Sequence, residues 1–377
     1  MIIWVIGRNY PLPENNMQGS FEFEQAKLLA KYGHDVHYLA CSLHPIKKIK
    51  KAGIQSWTED GVKVTVCSKF FVPRIYPLYF IRERNKYWGK LFNAVKLKSG
   101  IPDVIHVHYP AMLMIADALK YFHDNGVQVV ATEHWTKVLW KRLDRIELRE
   151  YKKYCNVLHN IICVGSPLKN SVRDLIGMDG KVVPNVVNEL FKPTTEKHKG
   201  YRFVVVGRLI KLKQFDRVIE AFCDCFLGES CISLTIIGEG EEKENLRKII
   251  EARSANSQVM LLGNQTRDAT AKIVSNSDCL ICYSTYETFG VPIIEAWECG
   301  LTTITTNTAA ATIDYFDERL GVKVESTDFD GLKKALRYVY EHQGEYNKEF
   351  IYSYANNHFS EKVIYSKLIN LYGISND

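Results

Sequence analysis

Residues 203–226 read FVVVGRLIKLKQFDRVIEAFCDCF, and this stretch decides the fold. Phe203–Val206 is a short run of β-favouring residues and predicts a buried strand. Gly207 permits a tight turn where that strand ends. From Phe215 to Phe226 the apolar residues recur at helical spacing. Strand, glycine turn and amphipathic helix, in that order, form the building unit of a parallel sheet with crossover helices. The same alternation continues beyond it. Strands are expected at Ser233–Ile237, Val259–Leu262, Asp278–Ser284 and Thr302–Thr306. Helices are expected at Glu241–Glu251, Val291–Cys299 and Leu332–His342. Before it, Lys181–Arg202 breaks the pattern with Pro184, Pro193 and Gly200 and reads as a linker.

An earlier alternation precedes the linker. It comprises Ile2–Ile6, helix Phe21–Tyr32, His34–Ala40, Val62–Ser68 and Val104–His108. A helical stretch at Ala111–Phe122 then leads to Val127–Thr132 and Ile161–Val164. The expected fold class is therefore α/β, with two doubly wound, Rossmann-like domains at 1–182 and 183–355. In such sheets ligands bind beyond the C-terminal ends of the strands, so the cleft between the domains is the expected site.

Composition narrows the class. The chain has 377 residues, 46% hydrophobic and 24% charged, which is too long for one ordinary core. Disorder, collagen and coiled coil are excluded by ordinary glycine and proline usage and the lack of repeats. MIIWVIGRN reads as a first buried strand, not a signal peptide. Cys41, Cys67, Cys163, Cys279 and Cys282 lie in apolar runs, so buried thiols and a cytoplasmic location are expected. Cys279 and Cys282 match CxxC by letter, but residues three apart on a strand face opposite sides.

The net charge of +6 is uneven. Residues 44–100 hold thirteen Lys or Arg against three acids, interleaved with Trp57, Tyr79, Tyr87 and Trp88. Such a segment suits an anionic surface, either a membrane face or a phosphate-bearing substrate; it equally fits a solvated face with its aromatics turned inward.

Four clusters carry chemistry. Gly207-Arg208-Leu209 with Lys213 sets two cations just after a strand; arginine binds a diphosphate bidentately and lysine adds a point charge. Glu287-Thr288-Phe289-Gly290-Val291-Pro292-Ile293-Ile294-Glu295 has two carboxylates eight apart around a helix start, where amides favour an anion. Glu295 is expected within the first helical turn. Ile236–Gly240 runs a strand into a glycine-rich turn at Gly238. In the first domain, His106 and His108 share a face of one strand, Glu133-His134 ends another, and Gly19-Ser20 opens a helix. No third metal ligand is evident beside the histidines, so a metal is not expected. Asp328-Phe329-Asp330 resembles a metal–nucleotide motif by letter but reads as a helix N-cap.

Together these residues resemble the retaining glycosyltransferases of family 4, which have the GT-B fold. Glu287 to Glu295 matches the family's E-x7-E element. Gly207-Arg208-Leu209 with Lys213 looks like its diphosphate-binding pair, and Ile236–Gly240 like the strand–glycine turn that follows. Pro184-Asn185 resembles the linker motif. Phe359–Tyr372 resembles the final helix, so 356–377 is expected to cross back onto the first domain. Gln214 and Thr288 stand where the family usually has glycine. Val186 and Asn188 replace the usual Gly and Asp of the linker, and Gly19-Ser20 replaces paired glycines.

The resemblance implies transfer of a sugar from a UDP- or GDP-type nucleotide sugar to a hydroxyl of a saccharide or lipid-linked saccharide, with anomeric configuration retained and no metal or other cofactor. It puts Arg208 and Lys213 on the diphosphate, with the amides of Phe289, Gly290 and Val291 and with Gly19 and the Gly207 turn beside it, while the turn at Gly238 lies near the base or ribose. It puts Glu295 on the ribose and Glu287 and His134 on the donor sugar. The expected location is the cytoplasm, with peripheral contact at the inner membrane face through 44–100. Two other readings stay open: a nucleotide-sugar epimerase of the same architecture, and a non-enzymatic polyanion binder. Paired carboxylates would repel nucleic acid, which is not an expected partner.

Overall fold

The computed structural model describes residues 1–11, 19–44, 53–70 and 77–373. The chain forms two compact units. One comprises Met1–Val186 with the segment from Ile364 onward, and the other comprises Val187–Val363. The divisions fall a few residues beyond the bounds 182/183 and 355/356. Val183 and Val186 still pack in the first core. Helix Lys348–Phe359 stays with the second unit, where Phe359 stacks on Trp297 at 6.2 Å.

The first unit is built on strands β1 (Ile2–Gly7), β2 (Asp35–His44), β3 (Gly53–Glu59), β4 (Val62–Phe70), β5 (Val104–His108), β6 (Gln128–Glu133), β7 (Asn160–Cys163) and β8 (Lys181–Val182). Their order across the sheet is β3-β4-β2-β1-β5-β6-β7-β8. Every neighbouring pair is parallel except β3 with β4. β5 is buried at every position, as a strand covered by helices on both faces must be.

β3 is absent from the sequence reading because most of its residues are exposed and no apolar alternation marks it. Asp60 and Gly61, both at positive φ, close the β3–β4 hairpin with the two-residue turn that favours Asp-Gly. The long helix Pro77–Ser99 is a second addition.

From Ile364 the chain returns to this unit. Ile364, Leu368, Ile369 and Tyr372 join Ile3, Val5, Val36 and Val104 in one core cluster. Tyr365 stacks on Tyr32 at 3.8 Å, and Asn160 Nδ2 donates to the Leu371 carbonyl at 2.8 Å.

The second unit holds β9 (Tyr201–Val206), β10 (Ile232–Ile237), β11 (Val259–Gly263), β12 (Cys279–Cys282), β13 (Thr302–Thr306) and β14 (Gly321–Val324). Their order is β11-β10-β9-β12-β13-β14, all parallel. Chain order reverses between β9 and β12, and in the first sheet between β1 and β5. A crevice opens at such reversals beyond the strand ends. Helix Phe215–Phe226 seats Phe215, Val218, Ile219, Phe222 and Phe226 in the second core. Burying each such side chain stabilises by about 1.5–3 kcal/mol.

Asp328 caps helix Phe329–Glu341, its carboxylate accepting from the Gly331 amide at 2.8 Å. The DxD letters are thus a cap. The five cysteines named above are buried.

Candidate functional site

The second sheet's reversal point is assembled by its backbone. Gly207 N donates to the Ile237 carbonyl at 3.0 Å, and Gly238 N to the Gly263 carbonyl at 2.9 Å. The two glycine turns are so close that a Cβ on Gly238 would lie 1.8 Å from the Gly207 oxygen. Only glycine fits there.

After β9 the chain makes a one-turn 3-10 helix, Lys211–Lys213, and Gln214 follows at φ 50°. A left-handed backbone explains why glycine suits this position. Gln214 adopts it while its side-chain amide donates to the carbonyls of Tyr283 at 3.0 Å and Ser326 at 2.9 Å. Thr285 N donates to the Leu212 carbonyl at 2.9 Å. The Lys213 turn is thereby sewn to the segment after β12.

That sewing brings Lys213 Nζ onto Glu287 Oε1 as an ion pair with both side chains largely buried. Ser284 Oγ donates to the same oxygen at 3.1 Å. Burial by itself lowers the Lys213 pKa, but the Glu287 charge and hydrogen bond outweigh it and raise it; the neighbouring Arg208 charge pulls it slightly back. Cys282, beneath the pair, has its thiol pushed up to about 12 by burial and by Glu287. Arg208 itself is exposed and makes no ion pair among the described residues. The two cations expected to act together thus differ: one is neutralised by a carboxylate, the other is open to an anion.

Glu295 departs from its expected place. The helix begins at Val291, so Glu295 is its fifth residue, beyond the first turn. Its side chain is 2% exposed and pairs with Arg267 Nη2 at 2.8 Å. The Arg267 guanidinium lies 4.7 Å over the Phe191 ring. Both carboxylates of the E-x7-E element therefore carry a cation. Gly290 caps the helix, with Pro292 in its first turn. Phe289 is buried against Phe359, and Val291 is buried too, so only their backbone is available to a ligand.

The first sheet's reversal point is different in kind. Gly19 at φ 85° opens helix Ser20–Lys31, and a Cβ there would lie 2.1 Å from the Asn9 carbonyl oxygen. Arg8 pairs with fully buried Glu22 at 2.9 Å and covers the Tyr109 ring at 3.6 Å. Tyr109 stacks on His134 at 4.7 Å. His108 Nδ1 and His134 Nε2 share a hydrogen bond of 3.0 Å, and His106 stacks on His108 at 4.7 Å. His106 is in turn held by Thr132 at 2.6 Å and Tyr372 at 2.7 Å.

Burial lowers all three imidazoles well below the usual range. The charges of His108 on His106, of His134 and Arg8 on His108, and of Arg8 on His134 add to it. The histidines are therefore neutral hydrogen-bonding groups. Below them Glu133 accepts from the amides of His134 and Trp135, each at 2.9 Å, and of Ala111 at 3.3 Å. Burial pushes its carboxyl up to about 7, against the lowering effect of those amides. Among the described residues no group of three His, Cys, Asp or Glu could hold a metal ion.

Sequence reasoning missed Ser284, Gln214's side-chain strap, Arg267 and Arg8. Ser284 and Gln214 adjoin residues already singled out. Arg267 begins a helix far from both carboxylates in sequence, and nothing local marks it.

Two family descriptions match this chain: Glycosyltransferase Family 4 over residues 21–189 and Glycosyl transferases group 1 over 186–356. The chain belongs to the family 4, group 1 glycosyltransferases. It is 25% identical over 338 residues to the phosphatidylinositol N-acetylglucosaminyltransferase GPI3 subunit of Saccharomyces cerevisiae, covering 84% of this chain and 71% of that one. It is also 25% identical over 303 residues to the N-acetyl-alpha-D-glucosaminyl L-malate synthase of Bacillus anthracis, covering 75% and 74%. In structure it matches Anabaena HepE, solved in complex with UDP, with a TM-score of 0.73 over 98% of both chains at 14% identity. The fold is GT-B, and the protein is a glycosyltransferase.

Proposed function

We propose that this glycosyltransferase is a retaining enzyme that moves a sugar from a nucleotide diphosphate to a hydroxyl acceptor. The observation that carries the reading is the Lys213–Glu287–Ser284 cluster at the β9/β12 reversal, with Arg208 open beside it. Arg208 takes the diphosphate, and Lys213 turns from Glu287 to join it. Two fixed cations then stabilise the leaving group, which is the task a divalent ion performs elsewhere, so no metal is required. The exchange frees the Glu287 carboxylate for hydroxyls of the donor sugar, with Ser284 still holding it.

Glu295, oriented by Arg267, accepts from the ribose. The backbone of Phe289–Val291, Gly207 and Gly19 is assigned to the diphosphate, and the turn at Gly238 to the base or ribose. His134, neutral, hydrogen-bonds the transferred sugar. The C1–phosphate oxygen bond breaks as the acceptor oxygen bonds C1 on the same face. The leaving phosphate oxygen takes the acceptor's proton, so configuration is retained.

UDP-N-acetylglucosamine is the donor to test first: both named relatives are N-acetylglucosaminyl enzymes, and HepE binds UDP. The proposed acceptor is a saccharide or lipid-linked saccharide of a cell-surface polysaccharide, met at the inner face of the cytoplasmic membrane. Thermal shift with UDP-, GDP-, ADP- and dTDP-sugars in chelator tests the donor site. A ligand at a hundred times its dissociation constant should stabilise by about 2.7 kcal/mol. The expected result is a shift with one base that Arg208→Ala removes. A shift that needs added divalent metal would contradict the metal-free clamp.

A further inference from the structure

Helix Pro77–Ser99 holds Arg82, Arg84, Lys86, Lys90, Lys96 and Lys98 against one acid, Glu83. Its net charge is +5, in a chain whose whole net charge is +6. One face is core: Ile81, Trp88, Leu91, Phe92 and Val95 are buried, and Phe92 stacks on Trp4 at 5.9 Å. Arg84 belongs to that side, donating to the carbonyls of Met112 at 2.8 Å and Leu113 at 2.9 Å.

The opposite face is exposed. Tyr79, Arg82, Lys86, Lys90, Asn93 and Leu97 follow at spacings of three and four, which sets them in one line. The line runs roughly 27 Å at a helical rise of about 1.5 Å per residue. Its ends are apolar: Tyr79 is 59% and Leu97 85% exposed. Glu83 lies 3.8 Å from Lys86. Arg82 and Lys90 form no ion pair among the described residues.

We propose that this face docks on an anionic lipid surface, with the cations over the headgroups and Tyr79 and Leu97 at the interface. The inference rests on the reading that the acceptor is lipid-linked. Each cation near such a surface strengthens binding roughly fivefold. A second copy is a poor occupant, because a symmetric pairing would set Arg82, Lys86 and Lys90 against themselves. Nucleic acid would use the cations but leave both apolar ends idle. No helix among the described residues is long and apolar enough to cross a membrane, so the contact is peripheral.

The test is co-sedimentation of the full chain with vesicles of phosphatidylcholine alone or with phosphatidylglycerol, at low and high salt. The wild type is expected on the phosphatidylglycerol vesicles at low salt only. Arg82→Glu/Lys86→Glu/Lys90→Glu should weaken binding at least tenfold, and Leu97→Asp about threefold. Arg82→Gln/Lys86→Gln/Lys90→Gln keeps helix formers on the exposed face and should also lose at least tenfold. Arg247→Glu/Lys248→Glu, on the second unit, should bind like wild type. The proposal falls if wild type ignores the anionic vesicles, if both triple variants bind as it does, or if a DNA duplex competes fully. It falls equally if the face proves to mediate dimers in sedimentation. Thermal shift with the donor keeps the two readings apart: both triple variants should respond as wild type does. A wild type that binds vesicles but no nucleotide sugar would overturn the proposed donor and leave this inference, which rests on the acceptor, standing.

Discussion

The two sheets reverse their strand order in the same way, yet their reversal points are chemically opposite. In the second unit the point is ionic: Lys213 with Glu287, Arg267 with Glu295, and Arg208 open. In the first it is mostly neutral: three buried imidazoles, Tyr109, and a carboxyl whose pKa is about 7. Arg8 with Glu22 is the ion pair there. The same topology in each sheet thus frames two different chemistries. Ion pairs that can be exchanged suit a diphosphate, while neutral donors and acceptors suit sugar hydroxyls.

The sharpest way to break this contrast is Lys213→Ala. It leaves Glu287 buried without its cation, which costs about 3–5 kcal/mol. The melting temperature should fall, and donor affinity should drop at least a hundredfold. Lys213→Ala/Glu287→Ala should regain much of the stability but none of the affinity. If the double variant melts as low as the single one, the ion pair is not what the loss reports.

Next come the two glycines. Gly238→Ala would drive a methyl into the Gly207 carbonyl, and Gly19→Ala into that of Asn9. Each should destabilise by about 2–4 kcal/mol, in the range of severe backbone conflicts. Hydrogen exchange should show the damage in the substituted unit first. Uniform damage would contradict two separately folded units.

Acid should then separate the units. The three histidines have folded pKa values below the unfolded one, so protonation favours the unfolded chain. Their effect is absent well above pH 6.5 and destabilises progressively below it. Glu133, raised to about 7, works the other way: it favours the fold at low pH and loses that contribution as pH rises from the ordinary carboxylate range to 7. Three groups outweigh one, so acidification from pH 7.5 to 5.5 should loosen the first unit. Lys213, with its raised pKa, contributes stability throughout that window and loses it only at alkaline pH. Hydrogen exchange at both pH values checks this; equal loosening of the second unit would count against it.

The smallest effect is expected from Gln214→Gly. Glycine relieves the left-handed backbone but removes two hydrogen bonds worth about 1 kcal/mol each, so stability should change by less than about 1.5 kcal/mol. Donor affinity should still fall two- to fivefold, because the Lys213 turn loses its strap. Unchanged affinity would show that Gln214 is merely tolerated.

Much of this was legible in the sequence. Buried parallel strands such as β9 and β12 are continuous apolar runs, and Gly207, Gly238 and Gly290 mark where they turn. β3 escaped because an exposed edge strand has no apolar rhythm; only Asp60-Gly61 hinted at it. Helix Pro77–Ser99 escaped because its cations hid the spacing of Ile81, Trp88, Phe92 and Val95. In the site, Arg208, Lys213, Glu287 and Glu295 stood out through short motifs. Arg267 did not, since its partner lies 28 positions away and only the fold joins them. That Lys213 would sit on Glu287 was equally hidden: separate motifs do not reveal that each neutralises the other.

In the proposed function the β9/β12 reversal binds a nucleoside diphosphate through Arg208 and Lys213. Calorimetric titration of UDP, in chelator, into wild type, Arg208→Ala and His134→Ala tests it most directly. Tight binding to wild type is expected, with at least tenfold weaker binding to Arg208→Ala and little change for His134→Ala, which is proposed to meet the sugar. Equal affinity for wild type and Arg208→Ala, or a loss confined to His134→Ala, would contradict it.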